Sequence, residues 1–379
     1  MKKKFFIITT VPQSLFFFSG QIKILMSKFD VEVVSSSGEL LTEFSTTEDI
    51  NCHIVDMERD ISILKDLKSL YKMVQLFLKA KPNFIHGNTP KAGLISMTAG
   101  WICRVPNRIY YVHGLRYQGV TGLKKNLLMM MERVACLLST HVFAVSQGVK
   151  NTLSIDNITR KPVKLIGFGS INGVDTEFFD KKNPAIQSIN TTNMIAKSDF
   201  VFGFVGRLVS DKGINELVKA FLVVNSLYKN TKLILVGPYE PELSSLDVPT
   251  LAAIDENPNI IRYEAQKDVR PFYKLMDAFV FPSYREGFGV SLIEALAMEL
   301  PVICSDIMGC NEIIINNETG ILIPKCSANH LAEAMISLKT DERKRLLLAS
   351  KGRREVVRKY HRANVWKNTM STYRSLSTR

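Results

Sequence analysis

The sequence predicts an α/β protein built from two doubly wound parallel-sheet domains that face a central cleft. Three observations carry that expectation. The chain has 379 residues, whereas one core usually organises about 100–200. Short, nearly uninterrupted apolar runs rich in β-branched and aromatic residues alternate with helical patterns, as strands buried on both faces do. That plan runs once, pauses in a Gly-rich and then polar stretch near 170–195, and runs again.

In the first half Phe5–Thr10, Val31–Ser35, Phe84–His86, Arg108–Val112 and His141–Val145 read as strands. Ile61–Lys79 and Lys124–Leu138 place apolar residues at helical spacing, and a further helix opens after Asn88. In the second half the strands are Phe200–Val205, Lys232–Val236, Ile260–Tyr263, Ala278–Phe281, Val302–Cys304 and Gly320–Ile323. Helical patterns fall at Gly213–Tyr228, Val269–Met276, Val290–Met298 and Ala328–Ser337. The last forty residues, dense in Lys and Arg around Val356, Tyr360 and Trp366, read as one or two amphipathic helices. The expected division is 1–175, 176–355 and a closing helix in 356–379.

The composition, 46% hydrophobic and 22% charged, excludes collagen-like, disordered and disulfide-scaffold classes. Six Cys without a CxxC pair or His at zinc spacing read as reduced thiols, and so as a reducing compartment. Lys2–Lys4 and the following Phe and Ile resemble a secretory signal, but Thr9, Thr10, Pro12 and Gln13 interrupt the apolar run, and a buried strand fits better. No stretch approaches the roughly 18 apolar residues of a spanning helix. A cytoplasmic protein is therefore expected.

The net charge of +13 is uneven: +9 over residues 1–175, −5 over 176–340 and +9 over 341–379. Such a pattern suits nucleic acid, anionic headgroups or phosphorylated small molecules. No RNP, zinc-finger or helix-turn-helix signature accompanies it, which sets nucleic acid aside.

Ligands of open parallel sheets sit beyond the carboxyl ends of the strands, so residues just after strands matter most. Gly206-Arg207-Leu208 and Ser210-Asp211-Lys212-Gly213 follow a strand. Arg207 brings a fork of donors and Lys212 a compact charge, a pair suited to a diphosphate. The run Phe281 to Ala295 contains Glu286, Gly287, Phe288, Gly289, Val290 and Glu294. Its Gly-bearing turn before a helix would aim the backbone N–H groups of residues 287–290 at an anion. Glu286 and Glu294, on either side of that anion, could accept from a sugar and a ribose.

Gly206-Arg207…Lys212-Gly213, the Glu286-x₇-Glu294 spacing within Ser-Tyr-Arg-Glu-Gly-Phe-Gly, Gly309…Glu312…Thr319-Gly320 and Asn172-Gly173-Val174-Asp175 together resemble family 4 of the retaining nucleotide-sugar glycosyltransferases. The resemblance implies the GT-B architecture of two Rossmann-like domains, with acceptor on the N-terminal one, donor on the C-terminal one and a last helix crossing back to the first. It implies Arg207 and Lys212 as neutralisers of the leaving diphosphate, Glu286 at donor-sugar hydroxyls, Glu294 at the ribose, and backbone donors at Phe288, Gly289 and Val290. The Arg262–Gln266 loop would border the base. No bound metal is implied, and no Asp-x-Asp follows a strand; the two cations take that electrostatic role. His113, before Gly114 at a strand end, matches a functional His of the family, and Gly20 falls where the family carries paired glycines.

Thr89-Pro90-Lys91-Ala92-Gly93 resembles the branch that builds capsule, O-antigen and related lipid-linked glycans. Lys91 suits an acceptor phosphate, although a plain solvated lysine reads equally well, and Arg116 could extend a basic acceptor face. Lys124–Arg133 mixes cations with Leu and Met, as either an interfacial or a core-packed helix does. The function implied is transfer of a hexose or N-acetylhexosamine from a UDP-sugar to a polyprenyl-diphosphate-linked saccharide, by a peripheral enzyme at the inner membrane leaflet. A GT-B-shaped nucleotide-sugar epimerase and a non-catalytic nucleotide- or polyanion-binding protein remain as alternatives.

Overall fold

The computed structural model describes residues 2–58, 60–189 and 194–377. Residues 190–193, within the polar stretch expected at the domain junction, lie outside these. The chain forms two units, 1–172 with 363–379, and 173–362.

The first unit holds strands β1 (Lys3–Ile8), β2 (Phe29–Ser35), β3 (Cys52–Ile54), β4 (Phe84–Asn88), β5 (Asn107–Val112), β6 (His141–Ala144) and β7 (Val163–Leu165). They pair in parallel in the order β3-β2-β1-β4-β5-β6-β7. Between them run α1 (Gln21–Met26), α2 (Glu39–Glu48), α3 (Ile63–Ala80), α4 (Pro90–Ile102), α5 (Gly122–Leu138) and α6 (Gln147–Ile155). From Phe5 to Ile8, β1 is buried on both faces, which is why it reads as an apolar run rather than an alternation.

The second unit repeats the plan with β8 (Phe200–Val205), β9 (Thr231–Val236), β10 (Ile260–Tyr263), β11 (Ala278–Phe281), β12 (Val302–Ser305) and β13 (Ile321–Ile323). Their order is β10-β9-β8-β11-β12-β13, again all parallel. The helices are α7 (Ile214–Leu227), α8 (Val248–Glu256), α9 (Arg270–Leu275), α10 (Val290–Ala297), α11 (Ala328–Thr340) and α12 (Glu342–Tyr360). A last helix, α13 (Arg362–Ser377), packs in the first unit, where the Trp366 indole N–H donates to Asn172 Oδ1 at 2.6 Å.

The units divide at 172/173 and 362/363 rather than at the 175/176 and 355/356 read from the sequence. The reason is backbone pairing: the Val174 N–H donates to the Tyr360 carbonyl and the Arg362 N–H to the Val174 carbonyl, each at 2.9 Å. Both chain crossings thus belong to the second unit until just past those bonds. The short strands β3 and β7 and the helices α2, α6 and α8 were not anticipated. Three residues are too few to show a period, and α6 and α8 are started by side-chain caps, Ser146 accepting from the Val149 N–H and Asp247 from the Thr250 N–H.

Candidate functional site

In the second unit the chain reverses its direction of strand addition between β8 and β11, the neighbours from which the sheet grows outward both ways. Crevices at such a switch point, beyond the carboxyl ends of the strands, are where open α/β sheets bind ligands. The loops leaving β8 and β11 carry Arg207, Lys212 and Glu286.

These two loops are fastened to each other. The Tyr284 N–H donates to the Asp211 carbonyl at 2.9 Å, and Arg285 donates to the Asp211 carboxylate at 2.7 Å. The Tyr284 hydroxyl donates to Glu216 at 2.5 Å. Gly213, at φ +74°, closes the short turn Ser210–Lys212 and starts α7. A Cβ there would lie 2.1 Å from the Pro282 carbonyl oxygen, so only glycine allows the loops to approach this closely.

The approach brings the Lys212 ammonium into a mostly buried ion pair with Glu286, above the Phe281 ring at 5.5 Å. The Arg207 guanidinium is 43% exposed and reaches Glu240 at 3.4 Å, a loose contact that leaves its fork open to solvent. Behind Glu286, Gly309 presses its backbone against residues 286 and 287. Glu294, half-buried in α10, accepts from the Tyr273 hydroxyl at 3.0 Å. Burial raises its carboxyl to about 7.

The expected row of backbone donors is shorter than its sequence suggested. The Gly289 N–H donates to the Gly309 carbonyl and the Val290 N–H to the Phe288 carbonyl, each at 3.0 Å. Residues 289 and 290 therefore spend their donors inside the chain. Among the described residues the N–H groups of Gly287 and Phe288 take no partner. They are the donors left for a ligand.

In the first unit the switch point lies between β1 and β4. Thr89, at φ +65° after β4, exchanges a hydroxyl hydrogen bond of 2.7 Å with Thr10, after β1. His113, half-buried just past β5, is held through Nε2 by Asn88 Oδ1 at 2.8 Å, and burial lowers its ring to about 4, so it is neutral near pH 7.

Two residues of this unit differ from their expected roles. Lys91 is neither solvated nor free for a phosphate: it is 5% exposed and its ammonium donates to both Asp66 oxygens at 2.7 and 2.8 Å and to the Asp60 carbonyl. Its charge is neutralised before any ligand arrives, which suits it to fixing the Asp60 segment. Arg116 meets the same segment from outside, 3.9 Å from the Asp60 carboxylate. The Gly20 N–H, expected as a donor-binding group, donates instead to Glu48 at 2.9 Å, and the Trp366 ring fills the space over its Cα. Its glycine thus serves the packing of α13.

Asp211, Arg285, Tyr284, Tyr273 and Asn88 were missed by sequence reasoning. Asp211 sits inside the Ser-Asp-Lys-Gly run, yet its partner lies 74 residues away, and no local pattern announces such a pairing. Among the described residues no group of three or more His, Cys, Asp and Glu could hold a metal ion.

Family profiles match both halves: "Glycosyltransferase Family 4" over residues 25–178 and "Glycosyl transferases group 1" over 187–355. The chain is 37% identical over 373 residues to the capsular polysaccharide biosynthesis glycosyltransferase CapM of Staphylococcus aureus, covering 98% of this chain and 97% of CapM. The chain is a family 4 glycosyltransferase. A more distant relative of this glycosyltransferase is the Escherichia coli UDP-Gal:alpha-D-GlcNAc-diphosphoundecaprenol alpha-1,3-galactosyltransferase, 25% identical over 87% of this chain and 85% of that one. The crystal structure of Anabaena HepE in complex with UDP-glucose superposes with a TM-score of 0.80 at 18% identity, covering 98% and 99% of the two chains. That likeness establishes the GT-B fold for this glycosyltransferase.

Proposed function

We propose that this glycosyltransferase moves a hexose or N-acetylhexosamine, with retention, from a UDP-sugar to a polyprenyl-diphosphate-linked saccharide during synthesis of a capsule-type surface polysaccharide. The observation that carries the site is the meeting of Lys212 and Glu286 at the β8/β11 switch point. The relatives' names support the substrate classes: CapM is a capsule enzyme, and the E. coli enzyme uses a UDP-sugar and a diphosphoundecaprenol acceptor.

On this reading Arg207 and Lys212 neutralise the diphosphate as the donor C1–O bond breaks, a role that side-chain cations fill without a divalent metal. Glu286 positions the donor-sugar hydroxyls, Gly287 and Phe288 offer their free N–H groups, and Glu294 accepts from the ribose. The acceptor hydroxyl attacks C1 from the face the diphosphate leaves and loses its proton to the departing phosphate. UDP and the extended lipid-linked saccharide are the products. His113, Thr89 and Arg116 serve the other substrate's side, with Lys91 fixing the Asp60 segment that Arg116 meets.

The polyprenyl carrier places the reaction at a membrane, on the cytoplasmic leaflet. Among the described residues no helix is long and apolar enough to cross one. Helix α3 supports surface attachment: Ile63, Leu64, Leu67, Tyr71 and Leu78 are exposed along one face, beside Lys65, Lys68, Lys72 and Lys79, while Ser69, Met73 and Phe77 face the core. An apolar stripe edged with lysines is the pattern of an interfacial helix at anionic lipid. Helix α5, the candidate from sequence, buries Leu128, Glu132 and Ala135 and exposes Leu123, Met130 and Leu137, so it is both core-packed and partly apolar outside.

The test is incubation with a panel of UDP-sugars, with and without polyprenyl-diphosphate saccharide, read by mass spectrometry. Acceptor-dependent transfer is expected. Conversion of the sugar nucleotide without acceptor would favour an epimerase, and binding without turnover a non-catalytic protein. Lys212→Ala and Glu286→Ala should each lower turnover at least about a hundredfold, in the range of removed electrostatic stabilisers. Near wild-type turnover in either would overturn the site.

A further inference from the structure

His113 of the proposed site is held by a fully buried side chain, that of Asn88. Asn88 and His86 are each 1% exposed. The Asn88 Nδ2 group donates to the His86 carbonyl at 2.9 Å and lies 3.3 Å from the Ile8 carbonyl and 2.9 Å from the His86 ring nitrogen Nδ1. Its Oδ1 faces His113 Nε2 at 2.8 Å. The opposite end of the His86 ring, Nε2, lies 2.6 Å from the Tyr373 hydroxyl of α13.

The direction of each bond follows from these neighbours. If the Asn88 amide were turned over, its oxygen would face two backbone carbonyl oxygens at hydrogen-bond distance in a buried setting, losing two acceptors for its donors and adding repulsion. Those carbonyls cannot change role, so they fix which end of the amide is oxygen. An NH₂ group only donates, so His86 Nδ1 must be the bare nitrogen and its Nε2 the protonated one. Oδ1 only accepts, so His113 must carry its proton on Nε2.

We infer that Asn88 is a positioning residue that sets the tautomer of His113, holding the proton on Nε2 and presenting the Nδ1 lone pair. Neutrality of both rings agrees: burial lowers His86 to about 3 and His113 to about 4. Among the described residues Nδ1 of His113 has no partner. A bare nitrogen accepts and does not donate, so the group it meets is a hydroxyl or N–H of the substrate and not a phosphate oxygen. The inference rests on the reading of His113 as substrate-facing for that last step alone.

The experiment is long-range ¹H–¹⁵N correlation on full-length protein labelled with ¹⁵N-histidine, at pH 7.5 and without substrate. The chain has six histidines, and single His→Gln variants assign the His86 and His113 signals. Both rings are expected as the Nε2–H tautomer. An Nδ1–H or imidazolium pattern for His113 would overturn the inference, with no variant of Asn88 required. In Asn88→Ala the His113 signals should move to a mixture of tautomers and kcat should fall about tenfold, with donor KM within about twofold. Lost activity with an unchanged tautomer would overturn the positioning role. Tyr373→Phe should leave the His113 pattern in place, since the backbone carbonyls still hold the amide; a change there would overturn the assignment to those carbonyls. Full activity in His113→Ala would sink the substrate-facing reading while the tautomer result stood.

Discussion

Replacing Gly213 by alanine separates backbone strain from damage to the candidate site. Two costs arise. At φ +74° an alanine meets its own backbone, a penalty of roughly 1–2 kcal/mol in the left-handed region. Its Cβ would also stand 2.1 Å from the Pro282 carbonyl oxygen, where ordinary contact begins at 3.4 Å. Backbone must therefore part by more than about 1 Å, along the seam that joins Lys212 to Glu286. Misplacement of that size costs on the order of a hundredfold in rate. Gly122→Ala is the control: its φ is +64° and nothing lies within 4 Å of the added Cβ, so it carries strain alone. The assay is acceptor-dependent transfer, kcat and donor KM, beside urea unfolding of both variants. Gly122→Ala should lose stability of roughly 1–2 kcal/mol and keep its kcat. Gly213→Ala should lose more stability and about a hundredfold in kcat/KM. Equal kinetics in the two variants would refute the argument that this close approach builds the site.

Glu132 is 3% exposed, accepts from the Tyr110 hydroxyl at 2.6 Å, and is raised by burial from 4.5 to about 7. Between those values the folded chain keeps a proton that the unfolded chain has released, so this group's contribution to stability declines as pH rises through that window. Glu132→Gln should therefore gain roughly 3 kcal/mol over wild type at pH 8 and almost nothing at pH 4.5, by urea midpoints; the same difference at both would count against it. Glu294 is also raised to about 7; in the proposed ribose-accepting role its carboxylate accepts more strongly than the protonated acid, so donor kcat/KM should fall as pH drops from 8 to 6. That slope should vanish in Glu294→Gln. Introducing glutamates at Leu64 and Leu67, which are 82% and 57% exposed, should leave the melting temperature unchanged and weaken sedimentation with anionic vesicles at least about tenfold. Unchanged sedimentation would move the membrane contact off α3.

What the residue order determined unaided was whatever local periodicity encodes. All six strands of the second unit were legible to within about a residue, because strands buried on both faces must be apolar at every position. The loops bearing Arg207, Lys212 and Glu286 were legible for a related reason: glycines and charges directly after such strands have no place in a core. The three-residue strands and the capped helices α6 and α8 were not, since their signals are shorter than one period. Tertiary structure decided which charges are free. Lys91 and Arg207 look alike as post-strand cations, yet Asp66 neutralises one in a buried pair while the other keeps only a loose contact with Glu240 and stays partly exposed. It also decided which N–H groups remain: Gly289 lost its donor to Gly309, which enters from a different strand's loop. Asn88 gained its role only because Ile8, His86 and His113, from three strands, converge on one amide. Availability of a proton or a charge depends on neighbours distant in the chain, and only folding supplies those.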